Sequence, residues 1–183
     1  VFLFLVTVVV GLLYDQLGFS LMVGIPVLVF AFLIWRAMEG TLFSRLTIAS
    51  ALIIQIAIHI QVSHGVIEMH FGLFVVLAFL LAYRDWRPII FGAVLIAAHH
   101  LVFNFLQALH LNVWIFNHGE SYGIVLLHAA YVVFESIILV YLAIQLRTEG
   151  VESAKVAFMA ERITQGDLSS GVEFNQKKDS SSM

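Results

Sequence analysis

"PIIFGAVLIAAHHLVFNFLQAL", residues 88–109, is apolar through most of its length, carries no charge, and holds two adjacent histidines, His99 and His100. At about 1.5 Å of rise per residue it is long enough to cross the roughly 30 Å of bilayer hydrocarbon as a helix. Pro88 opens the stretch, a place where a helix has no use for the missing N–H. The stretch reads as a membrane-spanning helix. Its two imidazoles are then costly where they stand and call for a reason.

The rest of the chain agrees with that reading. Its 183 residues are 61% hydrophobic and 11% charged, with no cysteine and a net charge of −3. Soluble domains sit near half apolar and a quarter charged, so the mean hydropathy of +0.99 marks an integral membrane protein. Disulfides and thiolate metal sites are excluded by the cysteine count, and the small charge gives no sign of a nucleic-acid partner. A signal peptide would be short and single, whereas hydrophobic segments here continue to residue 146.

Outward from residues 88–109, the pattern resolves into an all-α, polytopic bundle of about six transmembrane helices, the last of them extended into the cytoplasm. They run from Val1 to about Leu13, then Phe19–Trp35, Leu46–Gln61, Val66–Tyr83, Pro88–Leu109 and Tyr122–Leu146. The first opens in mid-hydrophobic run, so the chain is expected to be trimmed at its start. Asp15 with Gly18, Glu39-Gly40, Ser63-His64-Gly65, the Arg84–Pro88 run and Asn117–Glu120 punctuate the spans. All nine Lys and Arg then fall on one side: Arg36, Arg45, Arg84, Arg87, and Arg147, Lys155, Arg162, Lys177 and Lys178 after the last span. The positive-inside rule makes that side the cytoplasm and places both termini there.

The eight histidines take the opposite half. His64, His110 and His118 lie in outer loops, whereas His59, His70, His99, His100 and His128 lie within the helices at depths of about 7 to 15 Å. Glu68 precedes His70 by two residues, and Glu135 follows His128 on nearly the same helical face. Asn104 and Tyr131 are candidates for orienting the imidazoles. Taken singly, an intramembrane histidine is a helix-to-helix hydrogen bonder. Several at one depth, each costly to bury, point instead to a metal site. His99 and His100 point about 100° apart, so one is a ligand and the other a structural partner, or they serve two metals.

Beyond the sixth span, "RTEGVESAKVAFMAERITQGDLSSGVEF" turns amphipathic, with Val151, Ala154, Phe158 and Ile163 as a stripe. This divides the chain into a transmembrane domain over 1–147, a cytoplasmic signalling helix over 148–174 and a disordered tail over 175–183. "MAERITQGDLSSGVEF" resembles the last helix of a HAMP-type linker and the start of the signalling rod in bacterial methyl-accepting chemotaxis proteins. Ala160, Ile163, Gly166, Asp167 and Leu168 carry its A-x-x-I-x-x-G-D-L pattern. Residues 45–145 resemble a polytopic sensor region found ahead of chemoreceptor and diguanylate cyclase modules. The likeness rests on Glu68, His70 and Phe71, on Tyr83, Asp85, Trp86, Arg87 and Pro88, and on His99-His100, Asn117-His118 and His128. It implies a sensory constellation of Glu68, His70, His99 or His100, His118 and His128, and a homodimer that feeds a cytoplasmic signalling region and its kinase complex. His118 joins only if its loop folds back over the helix mouths. The resemblance further implies a bacterial inner membrane as the location, and an output region and full two-helix HAMP linker that are expected to lie beyond a truncated end.

The candidate ligands are therefore His59, His64, Glu68, His70, His99, His100, His118 and His128. Imidazole with carboxylate suits copper, zinc, iron or nickel, and the affinity order favours copper, as one ion or two. Haem b on His70, His100 or His128 is the main rival, and zinc would suit a structural site. The expectation is a sensory module and not an enzyme. A metal-free pH or small-molecule sensor is the further alternative, ahead of a transporter or a metal-dependent membrane enzyme.

Overall fold

The computed structural model describes residues 1–166, whose regular structure is all helical, with no strand among the described residues. Asp167, Leu168, the rest of the expected signalling helix and the 175–183 tail lie outside the described residues. Residues Val1–Gln145 form one compact unit, and a second begins at Leu146.

Six α-helices build the structure: α1 Phe2–Leu13, α2 Leu17–Ala37, α3 Leu42–Val62, α4 Phe71–Phe79, α5 Trp86–Ala108 and α6 Tyr122–Thr164. Tight 3-10 turns over Ile67–His70 and Leu80–Tyr83 extend α4 at both ends. Helices α2, α3, α5 and α6 are long and apolar enough to cross a membrane, while α1 and the Ile67–Tyr83 segment are shorter apolar helices. Large apolar side chains such as Phe30, Phe79, Val94 and Phe134 face outward, as a bilayer permits and water does not.

Helix α3 is the hub, in contact with α1, α2, α4 and α5. Thr41 caps its start by accepting a hydrogen bond from the Ser44 N–H at 3.2 Å. Ala49, Ile53, Ile56 and Ile60 recur at helical spacing and are buried against Leu73, Leu77 and Ile89. On α6 the buried positions are Val125, Val132, Ser136, Leu139 and Ala143, a single stripe with exposed apolar residues on either side.

Several boundaries differ from the sequence expectation: α3 begins at Leu42, four residues before Leu46, and α2 runs two residues further at each end. Helix α5 begins at Trp86, two residues before Pro88, because Asp85 is its cap. Pro88 still sits in the first turn, where no intrahelical acceptor awaits its nitrogen. Asp85 is 2% exposed and takes a main-chain bond from Arg87, a side-chain bond from Arg87 at 2.9 Å and another from Arg45 at 3.1 Å. One carboxylate thus joins the starts of α3 and α5 at the arginine-rich end of the bundle. The Arg87 hydrogen bonds, helped by the charges of Arg87 and Arg45 and opposed by burial, hold its pKa below the ordinary aspartate value. At the other end of the chain α6 continues past Leu146 to Thr164 without a break, the long last helix that the sequence leads one to expect.

Candidate histidine site

Three segments meet at the end of the bundle opposite the arginines, and each brings one imidazole. His70 closes the 3-10 turn that opens α4, His100 lies in the last third of α5, and His128 lies near the start of α6. Their ring centres form a nearly equilateral triangle: His70 to His100 5.4 Å, His70 to His128 5.4 Å and His100 to His128 5.6 Å. His70 is 1% exposed and His100 3% exposed.

The backbone sets the tautomer of all three. Nδ1 of His100 meets the Ile96 carbonyl at 2.9 Å, Nδ1 of His128 meets the Ile124 carbonyl at 2.9 Å, and Nδ1 of His70 meets the Val66 carbonyl at 3.3 Å. A carbonyl oxygen only accepts, so Nδ1 carries the hydrogen and a neutral ring keeps its lone pair on Nε2. Nε2 of His70 and of His100 are buried with no hydrogen-bond partner among the described residues. The same arrangement, Nδ1–H on a carbonyl and Nε2 free, orients histidines that ligate metals.

Spacing can be tested against coordination chemistry. With metal–nitrogen bonds of about 2.0–2.1 Å and a ring centre about 1.1 Å behind each nitrogen, three imidazoles on one ion stand about 5.2–5.5 Å apart, centre to centre. The triangle has that size. Its donor atoms are not closed around one point, since among the described residues no group of three or more His, Asp or Glu is arranged to hold an ion. The rings are therefore spaced for coordination without being locked into it.

His99 stands beside the triangle, 5.5 Å from His100 and packed on Phe103 at 4.3 Å, with both ring nitrogens buried and unpartnered. The other sequence candidates stay outside. His59 lies at a similar depth but on another face, where its Nε2 meets Thr7 Oγ1 at 2.8 Å. Thr7 also donates to Gln55 Oε1 at 2.6 Å, and Gln55 donates to the Gly24 carbonyl at 3.1 Å. That network ties α1, α2 and α3 together. His64 is exposed and packs edge-on against Trp114, and Glu68 and His118 are also exposed. Asn104 accepts the Ser121 N–H at 2.8 Å, and Tyr131 is 61% exposed, so neither orients an imidazole. Glu135 keeps one buried carboxylate oxygen without a partner.

The α5–α6 connection does fold back over the helix mouths, but Phe116 enters and His118 does not. Phe116 is 1% exposed and stacks on His70 with ring centres 5.6 Å apart and planes 14° apart. It also lies 5.7 Å from His128 and 6.3 Å from His100. Gln107 holds it there, donating to the Phe116 carbonyl at 2.7 Å and accepting from the N–H groups of Ile115 at 2.8 Å and Phe116 at 3.2 Å. Gln61 accepts from Trp114 at 2.9 Å and donates to the Asn112 carbonyl at 3.2 Å. Gly65 completes the fit: its φ is +78°, and a Cβ there would lie 2.5 Å from the Phe116 backbone. The sequence signal for this lid was the apolar run Val113–Phe116 between two asparagines, too short to span and too apolar for an exposed loop.

No protein-family model, no curated protein and no solved structure matches the chain.

Proposed function

We propose that the chain is the membrane-embedded sensory module of a bacterial chemoreceptor-like transducer, and that His70, His100 and His128 hold its metal, copper, through Nε2. The observation that carries this reading is the triangle itself: three imidazoles from three segments, each anchored at Nδ1, with lone pairs left over at coordination spacing. His99 gives the site nitrogens for a second ion. Copper would supply two oxidation states with different preferred ligand geometries.

The chain's own part is mechanical. His128 belongs to α6, the helix that runs on to Thr164, whereas His70 and His100 belong to helices joined to α3. Drawing the three nitrogens together moves the start of α6 against α4 and α5, and α6 carries the change to a cytoplasmic signalling region and its kinase complex. The two arrangements must differ in affinity for the ligand, or nothing is transmitted. In this reading the module is a homodimer in the inner membrane, with both termini cytoplasmic and no catalytic activity of its own.

The test uses spin labels. The chain has no cysteine, so Phe79→Cys on α4 and Phe134→Cys on α6 place labels only at two exposed sites. In chain diluted with unlabelled protein, copper should shift the distance distribution between them. An unchanged distribution at saturating copper would remove the sensory coupling. One observation favours haem b as a second reading: His100 and His128 both line a large cleft between α5 and α6. A Soret band would decide for it.

A further inference from the structure

Between α5 and α6 lies a cleft of about 850 Å³, within the range of small-molecule sites at about 300–1,000 Å³. Its walls are mostly aliphatic, its polar side chains are His100, His128, Tyr122 and Ser136, and the Ser136 hydroxyl is spent on the Val132 carbonyl. Two observations say how a ligand reaches those imidazoles. Ile115 and Phe116, 0% and 1% exposed, close the way in from the loop side. The flank of the cleft is open instead: Val94, Leu101, Leu126 and Val133, all more than half exposed, edge it on both helices. Both helices are apolar enough to span a membrane, so the opening faces hydrocarbon. Whatever enters comes from the bilayer.

The tautomers then select its head group. Nδ1 of His100 and of His128 is committed to a backbone carbonyl, so each Nε2 offers a lone pair and no hydrogen. His100 Nε2 is buried and unpartnered, which is costly unless a donor arrives. A plain acyl chain brings none, and a ketone or quinone brings only acceptors. We infer that the α5–α6 cleft binds a lipid-soluble molecule with a hydroxyl head, its O–H donated to the buried Nε2 of His100 beside His128 and its apolar tail lying along the helices. This does not rest on the copper reading: the hydroxyl and a copper ion would use the same lone pair of His100, so the cleft takes its ligand in the metal-free chain.

A decyl-chain hydroquinone is a suitable probe, because oxidation to the quinone keeps the skeleton and removes both donors. Binding would be measured on the full chain in lipid nanodiscs, chelator-treated so that the imidazoles are free, beside the quinone and decylbenzene. The expected result is one hydroquinone per chain, bound about tenfold or more tighter than either control. His100→Leu should erase that preference, and His128→Leu should leave it at least in part. Ala129→Phe, which fills the cleft and leaves both imidazoles, should abolish binding and serves if the histidine variants fail to fold. Equal binding of quinone and hydroquinone would overturn the donor argument. Equal binding of decylbenzene would reduce the cleft to an acyl-chain groove. Undiminished binding in Ala129→Phe would place the ligand elsewhere. Copper stoichiometry, measured separately, bears on the metal reading alone.

Discussion

Replacing Gln107 by Leu removes the clamp on the lid while keeping the side chain's bulk. Three main-chain groups lose their partner: the N–H groups of Ile115 and Phe116 and the carbonyl of Phe116. Left buried and unpaired, they would cost about 1–3 kcal/mol each, or about 3–9 kcal/mol together. Letting the loop out instead forfeits the burial of Ile115 and Phe116, at about 1.5–3 kcal/mol apiece. The lower of these sums governs, so the closed lid loses about 3 kcal/mol or more. At 1.4 kcal/mol per factor of ten, that is about a hundredfold rise in lid opening. Hydrogen–deuterium exchange in nanodiscs should show it at residues 113–117, with no change in the α3 core around Ile56 and Ile60. Gln107→Glu keeps the acceptor and loses the donor, so its exchange should fall between the two. Exchange in Gln107→Leu within twofold of the unaltered chain would refute the clamp.

Other consequences follow from the same contacts. Gly65→Ala puts a Cβ against the Phe116 backbone at a φ of +78°, and should lower stability by about 1–3 kcal/mol in a thermal melt while raising exchange in the lid. Thr7→Val takes the hydroxyl from Gln55 and His59, and should cost about 1–3 kcal/mol without altering copper stoichiometry. Asp85→Asn tests the arginine end through its pH dependence. Because the folded-state pKa of Asp85 is depressed, its contribution is fully present above the unfolded value of about 3.9 and fades as pH falls through the folded one. Melting temperatures of the two forms should differ by a constant amount between pH 5 and 7 and converge below about pH 4.

Much of the fold was legible because a span announces itself by length and apolarity, and the arginines mark one end of the bundle. The start of α5 was placed two residues late because Pro88 is conspicuous, whereas the capping role of Asp85 depends on its own φ and ψ. The α6 continuation has no proline between Leu146 and Thr164, and Gly150 alone does not interrupt the helix. The site was half legible for a related reason. Depth along a helix is a count of residues, and depth alone gathered His70, His99, His100 and His128. Which neighbour a helical face meets is settled by packing. That is why His59, at similar depth, belongs to Thr7 and not to the triangle. The lid was hidden because Gln107 and Gln61 reach it across chain separations that no periodic pattern records.

The central claim concerns the three imidazoles, and metal content tests it most directly. The chain would be purified in detergent without chelators, with elemental analysis and an optical spectrum of the same sample, alongside His70→Ala, His128→Ala and His59→Ala. The account predicts one or two coppers per chain with no Soret band, lost in His70→Ala and in His128→Ala and retained in His59→Ala. Full copper occupancy in both triangle variants, or folded metal-free protein that takes up no added copper, would contradict it.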